Sequence, residues 1–213
     1  MLERISRQER FDLLVAWGAI SLAFAIIFLK ESGRVDPGTA LSLIGISLVT
    51  VGIGFVAHEM AHKFTAIKFG YWAEFRKDNM MLLVAVALAA LVGVVFAAPG
   101  ATVIYANNRE GGGLSKEQNG KISAAGPVTN LLLCIPFAGL LVYGGIPSPV
   151  FGSLASLIGM MGLQVNAMIA AFNMLPVSIL DGRKVLAWNT GIFIVLIVAA
   201  FGTLLLSYYP QLL

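Results

Sequence analysis

The chain holds only two histidines, His58 and His62, four residues apart around a glutamate in the run Val56-Ala57-His58-Glu59-Met60-Ala61-His62. On a helix this spacing places both imidazoles on one face, a turn apart, with Glu59 beside them. This is the H-E-x-x-H arrangement of a catalytic zinc site, in which the histidines bind the metal and the glutamate serves as general base. The competing reading is a pair of core histidines satisfied by hydrogen bonds, with Glu59 paired to Lys63 one turn later. Three ionisable groups within an apolar segment are costly, and such groups are functional by default.

A catalytic zinc takes three protein ligands and leaves a fourth position for water. The chain has no third histidine, and its single cysteine, Cys134, lies in an apolar stretch where it reads as packing. The third ligand is therefore expected to be a carboxylate: Asp12, Asp36, Asp78, Asp181, Glu3, Glu9, Glu31, Glu74, Glu110 or Glu117. Most of these lie in terminal or loop stretches rich in basic partners and read as solvated surface charge. Asp181 differs, because it ends the stretch Asn173-Met174-Leu175-Pro176-Val177-Ser178-Ile179-Leu180-Asp181-Gly182, where an apolar run is interrupted at a proline. Asp-Gly is also a common turn, with the aspartate capping the next helix and the glycine supplying backbone freedom. Glu74 and Glu110 remain competitors for the third position.

The elements that must position these groups are membrane helices. Of 213 residues, 58% are hydrophobic and 12% charged, against about 25% charged in a soluble domain. Apolar blocks run over Phe11–Leu29, Thr39–Phe69, Met80–Ala97, Ile122–Tyr143, Val150–Met174 and Ala187–Tyr208, and about 20 residues suffice for one crossing. Because backbone groups in lipid must pair internally, the expected fold is an all-α integral membrane protein, a polytopic bundle of about six hydrophobic segments. Turn signals at Asp36-Pro37-Gly38, Pro147-Ser148-Pro149 and Asp181-Gly182 punctuate it, and the polar stretch around 99–120, with Gly111-Gly112-Gly113, reads as a short irregular or β-like loop. No repeat and no room for a soluble module are evident, so residues 1–213 form a single domain with a catalytic core over roughly 39–182.

The third segment, 80–97, decides the orientation. If all six segments cross, the lysines and arginines divide evenly between the two sides. If 80–97 dips in and returns, they divide 12 to 2 in favour of the side holding the N-terminus, a strong positive-inside bias that places that end in the cytoplasm. A ligand after the fifth segment must also lie at the depth of His58 and His62, which requires an even number of crossings between residues 70 and 121. Against this, 18 apolar residues are by themselves long enough to span. Re-entry is the expectation.

Together, His58-Glu59-x-x-His62 on the second segment, Ala125-Gly126-Pro127-Val128-Thr129-Asn130-Leu131 and Asn173-x-x-Pro176-x-x-x-x-Asp181-Gly182 resemble the site-2 proteases, intramembrane zinc metalloproteases. The two-part metal signature is specific; the Gly-Pro-x-x-Asn element alone is weak. The resemblance implies one zinc ion per chain held by His58, His62 and Asp181, Glu59 as general base, and Asn173 steadying the substrate carbonyl. It also implies a transmembrane protein or peptide as substrate, cut within or beside its helix, and a multi-pass protein of a prokaryotic cell membrane. Met80–Ala97 departs from the shorter sheet-like or re-entrant region of many relatives.

Other readings are weaker. A formal charge of +3 is too small to suggest nucleic acid. A zinc transporter or sensor has no need of a glutamate between its ligands and usually repeats its site along a path. Asn130, Gln164, Asn166 and Asn173 could line a water route, although for the first three interhelical hydrogen bonding is the better expectation. Tyr71, Trp72, Trp188, Tyr208 and Tyr209 fit interfacial belts against membrane lipid, and glycines such as Gly54, Gly126, Gly159 and Gly162 would let helices approach closely. The extended stretch Pro99–Tyr105 could pair with an unwound substrate.

Overall fold

The structure is a computed structural model that describes residues 5–34, 36–94, 100–105, 113–144, 152–177 and 179–209. Glu3, Glu110, Pro99 and the Pro147-Ser148-Pro149 turn lie outside them. Helix α1 (Arg7–Ser32) starts where the Ser6 hydroxyl accepts from the Glu9 N–H and stops at Gly33, whose φ of 63° favours glycine. Helix α2 (Pro37–Lys68) is opened by Asp36 and the proline at its first turn. Strand β1 (Trp72–Lys77), helix α3 (Asn79–Leu91) and strand β2 (Gly100–Tyr105) follow, then α4 (Lys116–Gly144), α5 (Gly152–Asn173), the short α6 (Asp181–Trp188) and α7 (Thr190–Ser207). The chain is an all-α polytopic membrane protein with a two-stranded sheet. Helices α1, α2, α4, α5 and α7 are long and apolar enough to span.

The third expected segment is the exception, and its geometry shows why. Helix α3 has 13 residues, about 20 Å of rise against a hydrocarbon core of about 30 Å. It leaves from Lys77 and the chain returns to Gly100, and these two residues are register partners in the antiparallel pair of β1 with β2. A segment whose two ends are held together cannot end on opposite faces, so both ends of the excursion lie on one side, as the re-entrant reading expects. At its far end the Lys30 ammonium, from the last turn of α1, meets the carbonyls of Ala89 and Ala90, the usual way a cation closes a helix C-terminus.

Helix α4 begins inside the stretch read as polar loop. Ser115 Oγ accepts from the Gln118 N–H at 3.1 Å and Gln118 Oε1 accepts from the Ser115 N–H at 3.0 Å, a reciprocal capping box. Packing of α4 on α5 is close: a Cβ on Gly159 would lie 2.4 Å from the Leu141 nitrogen, and one on Gly162 2.2 Å from the Phe137 ring.

One end of the bundle gathers the N-terminus of α1, the hairpin, the C-terminal end of α2, the start of α4 and α6. Glu9 pairs with Lys63, both fully buried, and accepts from the Phe75 N–H at 3.1 Å; Tyr71 donates to Gln118. Every described lysine and arginine except Lys30 and Arg34 belongs to this end. Lys63 pairs with Glu9, so the competing reading that paired it with Glu59 is not what is seen. One sequence expectation is corrected here. Glu9, Asp12 and Glu74 are buried and not solvated surface charges, because the hairpin folds back over α1 and supplies partners: Arg76 meets both Glu74 and Asp12.

Candidate active site

His58, Glu59 and His62 lie in the last third of α2, all buried. His62 is six residues before Lys68 and His58 ten, so the imidazoles sit about 9–15 Å in from the basic end of the helix. Their Nε2 atoms are 3.0 Å apart. Asp181, the first residue of α6, brings Oδ2 to 3.4 Å from His58 Nε2 and 3.1 Å from His62 Nε2. Of the carboxylates open to the third position, Asp181 is the one that joins the histidines among the described residues. Glu74 is taken by Arg76 and the Trp72 indole; Glu110 is outside the described residues.

The far side of each ring fixes which nitrogen faces the centre. His58 Nδ1 lies 2.5 Å from Asn130 Oδ1, and His62 Nδ1 2.7 Å from the Ile122 carbonyl. A carbonyl oxygen only accepts, so each Nδ1 carries the hydrogen and each Nε2 presents a lone pair. Two lone pairs and a carboxylate oxygen thus converge with no hydrogen among them, an arrangement that calls for a cation. Bonds of about 2.0–2.2 Å in a tetrahedron space donors roughly 3.3–3.6 Å apart, a little wider than the 3.0–3.4 Å seen. The residues fit a zinc ion with three protein ligands.

Asp181 reaches the histidines because of its neighbour. A Cβ on Gly182 would lie 2.1 Å from the Met174 carbonyl oxygen, so the glycine is required by close approach to the end of α5 and not, as the Asp-Gly turn suggests, by backbone freedom. Nor does Asp181 cap a helix: Leu180 holds the N-cap position of α6, and Asn189 caps α7. The Lys184 ammonium stands 3.7 Å from Asp181 Oδ1 on the rim.

Helix α4 supports the centre from the other side. A Cβ on Gly126 would come within 2.5 Å of His62 Nε2 and 2.6 Å of His58 Nε2, so only glycine lets α4 lie against the imidazoles. One turn later Asn130 accepts from His58 and donates to the Gly54 carbonyl at 3.1 Å and Asn166 Oδ1 at 2.9 Å. The expected interhelical role of Asn130 and Asn166 is what the structure shows, with the addition that Asn130 orients the His58 imidazole. The i, i+4 spacing of Gly126 and Asn130, mirroring His58 and His62, was the available signal. Partners of this kind are worth about 10–100-fold in metal affinity, so Asn130→Ala is expected to weaken zinc binding by that factor, measured by competition with a chelator of known affinity.

A cavity opens on the cluster. Glu59 faces it, and its Oε2 accepts from the Thr102 hydroxyl at 2.8 Å. Gly100, Ala101, Thr102 and Ile104 of β2 form one wall, Ile122 and Ser123 of α4 another, and Asn173 and Leu180 a third. Asn173 reaches the cavity, with its amide donating to the Ile169 carbonyl at 3.0 Å. Thr102 carries no local sequence signal; only the strand pairing brings it here.

Fold and site together define a class: a helical, multi-pass membrane protein with a His-His-Asp metal-type cluster and a glutamate beside it in one cavity. A protein of Methanocaldococcus jannaschii, provisionally named a zinc metalloprotease, is 37% identical over 202 residues, covering 95% of this chain and 95% of that protein. The chain belongs to that protein's family of zinc metalloproteases. No protein-family model and no solved structure matches it.

Proposed function

We propose that this protein is an intramembrane zinc endopeptidase of the site-2 protease type, hydrolysing peptide bonds within or next to transmembrane helices of membrane-protein substrates. The observation that carries the reading is the convergence of His58 Nε2, His62 Nε2 and Asp181 Oδ2 within 3.0–3.4 Å, well inside an apolar helix and beside a cavity lined by Glu59.

In this reading His58, His62 and Asp181 hold one zinc ion per chain. Zinc bound in this way lowers the pKa of water towards about 7 and polarises a carbonyl. Glu59 takes the proton of the attacking water and returns it to the leaving amine. The Asn173 amide has two N–H donors; one is given to Ile169, and the role assigned to it, steadying the developing oxyanion, uses the other.

A helical substrate hides its peptide bonds and must be extended before it is cut. Strand β2 has β1 as its only strand neighbour among the described residues and contributes Gly100, Ala101, Thr102 and Ile104 to the cavity lining; in this reading an extended segment adds to its other edge as a further strand. The basic end of the bundle is assigned to the cytoplasm on the positive-inside rule, which puts the N-terminus inside, and the protein is taken as a multi-pass component of a prokaryotic cell membrane. The test is metal dependence: purified protein reconstituted in liposomes with a single-span substrate is expected to stop cutting after chelation and to recover on adding zinc back. Cleavage that survives complete metal removal sinks the reading.

A further inference from the structure

We infer that Thr102 is a positioning residue for Glu59, holding the base from the strand that borders the cavity; this rests on the protease reading above. Glu59 is buried beside His58, and the obvious cation for it, Lys63 one turn later, is fully buried against Glu9 instead. The side-chain hydrogen bond that Glu59 makes among the described residues is the one from the Thr102 hydroxyl, at 2.8 Å. A carboxylate with several rotatable bonds, standing next to two imidazoles and another carboxylate, needs such a partner to keep one oxygen directed at the reacting water.

The place of Thr102 is set by the sheet. Its register partner is Phe75, and the Phe75 N–H is given to Glu9 Oε1 at 3.1 Å, away from β2. In an antiparallel pair, opposite residues alternate between exchanging two backbone bonds and exchanging none. Phe75 and Thr102 are therefore a pair that exchanges none, and the backbone N–H and C=O of Thr102 face the outer edge of β2. Thr102 is also one of the residues that line the cavity. One residue thus offers its backbone to an extended segment while its side chain holds the base. The strands approach closely at one end, where a Cβ on Gly100 would lie 2.2 Å from the Arg76 carbonyl oxygen, and Glu9, paired with Lys63, accepts from the Phe75 N–H and ties β1 to α1 and α2.

Thr102→Val keeps the β-branched shape and removes the donor, and Thr102→Ser keeps the donor. Both are to be made in the full chain, loaded with zinc and reconstituted with a single-span substrate. A hydrogen bond to a charged group is worth roughly 10–100-fold in a rate. Thr102→Val is expected to lower kcat by that factor with KM and zinc content unchanged, and Thr102→Ser to restore kcat to within about 3-fold of wild type. A second readout needs no turnover: in the isotope-edited infrared difference spectrum of wild type minus Glu59→Gln, the Glu59 carboxylate stretch should shift in Thr102→Val and return in Thr102→Ser. Wild-type kcat and an unmoved carboxylate band in Thr102→Val overturn the assignment, as does equal loss in the serine and valine variants. If the wild-type protein cuts nothing, the protease reading falls, and the infrared arm alone decides whether Thr102 holds Glu59.

Discussion

Glu59→Gln is expected to bind zinc as the wild type does and to lose about 10²–10⁴-fold in cleavage rate, the usual worth of a general base. The separation of the two effects follows from the geometry. The donors that converge on the centre are His58 Nε2, His62 Nε2 and Asp181 Oδ2, and Glu59 is not among them; it stands on the same cavity wall with Thr102 on its outer oxygen. Glutamine has the same shape and keeps a carbonyl oxygen to accept from Thr102, so hairpin and helix should stay in register. What it lacks is the capacity to take a proton from water. Metal content by elemental analysis and cleavage of a reconstituted single-span substrate read the two effects on the same sample. A Glu59→Gln protein that cuts at the wild-type rate would remove the base from the mechanism.

Asp181→Ala should do the reverse and act first on the metal. It leaves two imidazole lone pairs 3.0 Å apart without the anionic third donor, and the loss in zinc affinity should exceed the roughly 10–100-fold typical of an outer partner such as Asn130. The fold is expected to survive, since Asp181 is not the cap of α6 and the close contact there is made by Gly182. Zinc content after gel filtration, together with an unchanged helical signal, checks both statements. Full zinc occupancy in Asp181→Ala would show that the third ligand comes from elsewhere.

How much of this was legible in the sequence depends on how local each signal is. The H-E-x-x-H run is complete within one helical turn, and the apolar blocks are long, so the pair of histidines and the five spanning helices could be read directly. That the two ends of the third segment share one side was legible through the distribution of lysine and arginine, a global constraint that the pairing of Lys77 with Gly100 expresses in structure. Asp181 stood out because a carboxylate at the edge of an apolar run is expensive. Long-range contacts were the hidden part. Glu9 reads as surface charge and Lys63, 54 residues away, as one of the basic residues that set the topology, yet they are buried against each other. Thr102 reaches Glu59 across 43 residues through a strand that only its partner defines. Gly126 and Gly182 looked like packing and turn residues; their actual constraint, a Cβ that would meet a ligand nitrogen or a backbone oxygen, is visible only with the helices in place.

Cleavage of peptide bonds within the membrane is what this centre is proposed to carry out. It is tested most directly by incubating the zinc-loaded protein in liposomes with a single-span substrate, alongside Glu59→Gln, and determining the masses of both products. New termini are expected inside or at the edge of the substrate's apolar span, formed by the wild type and not by Glu59→Gln. An intact substrate with the zinc-loaded wild type, or termini confined to its water-exposed flanks, would contradict it.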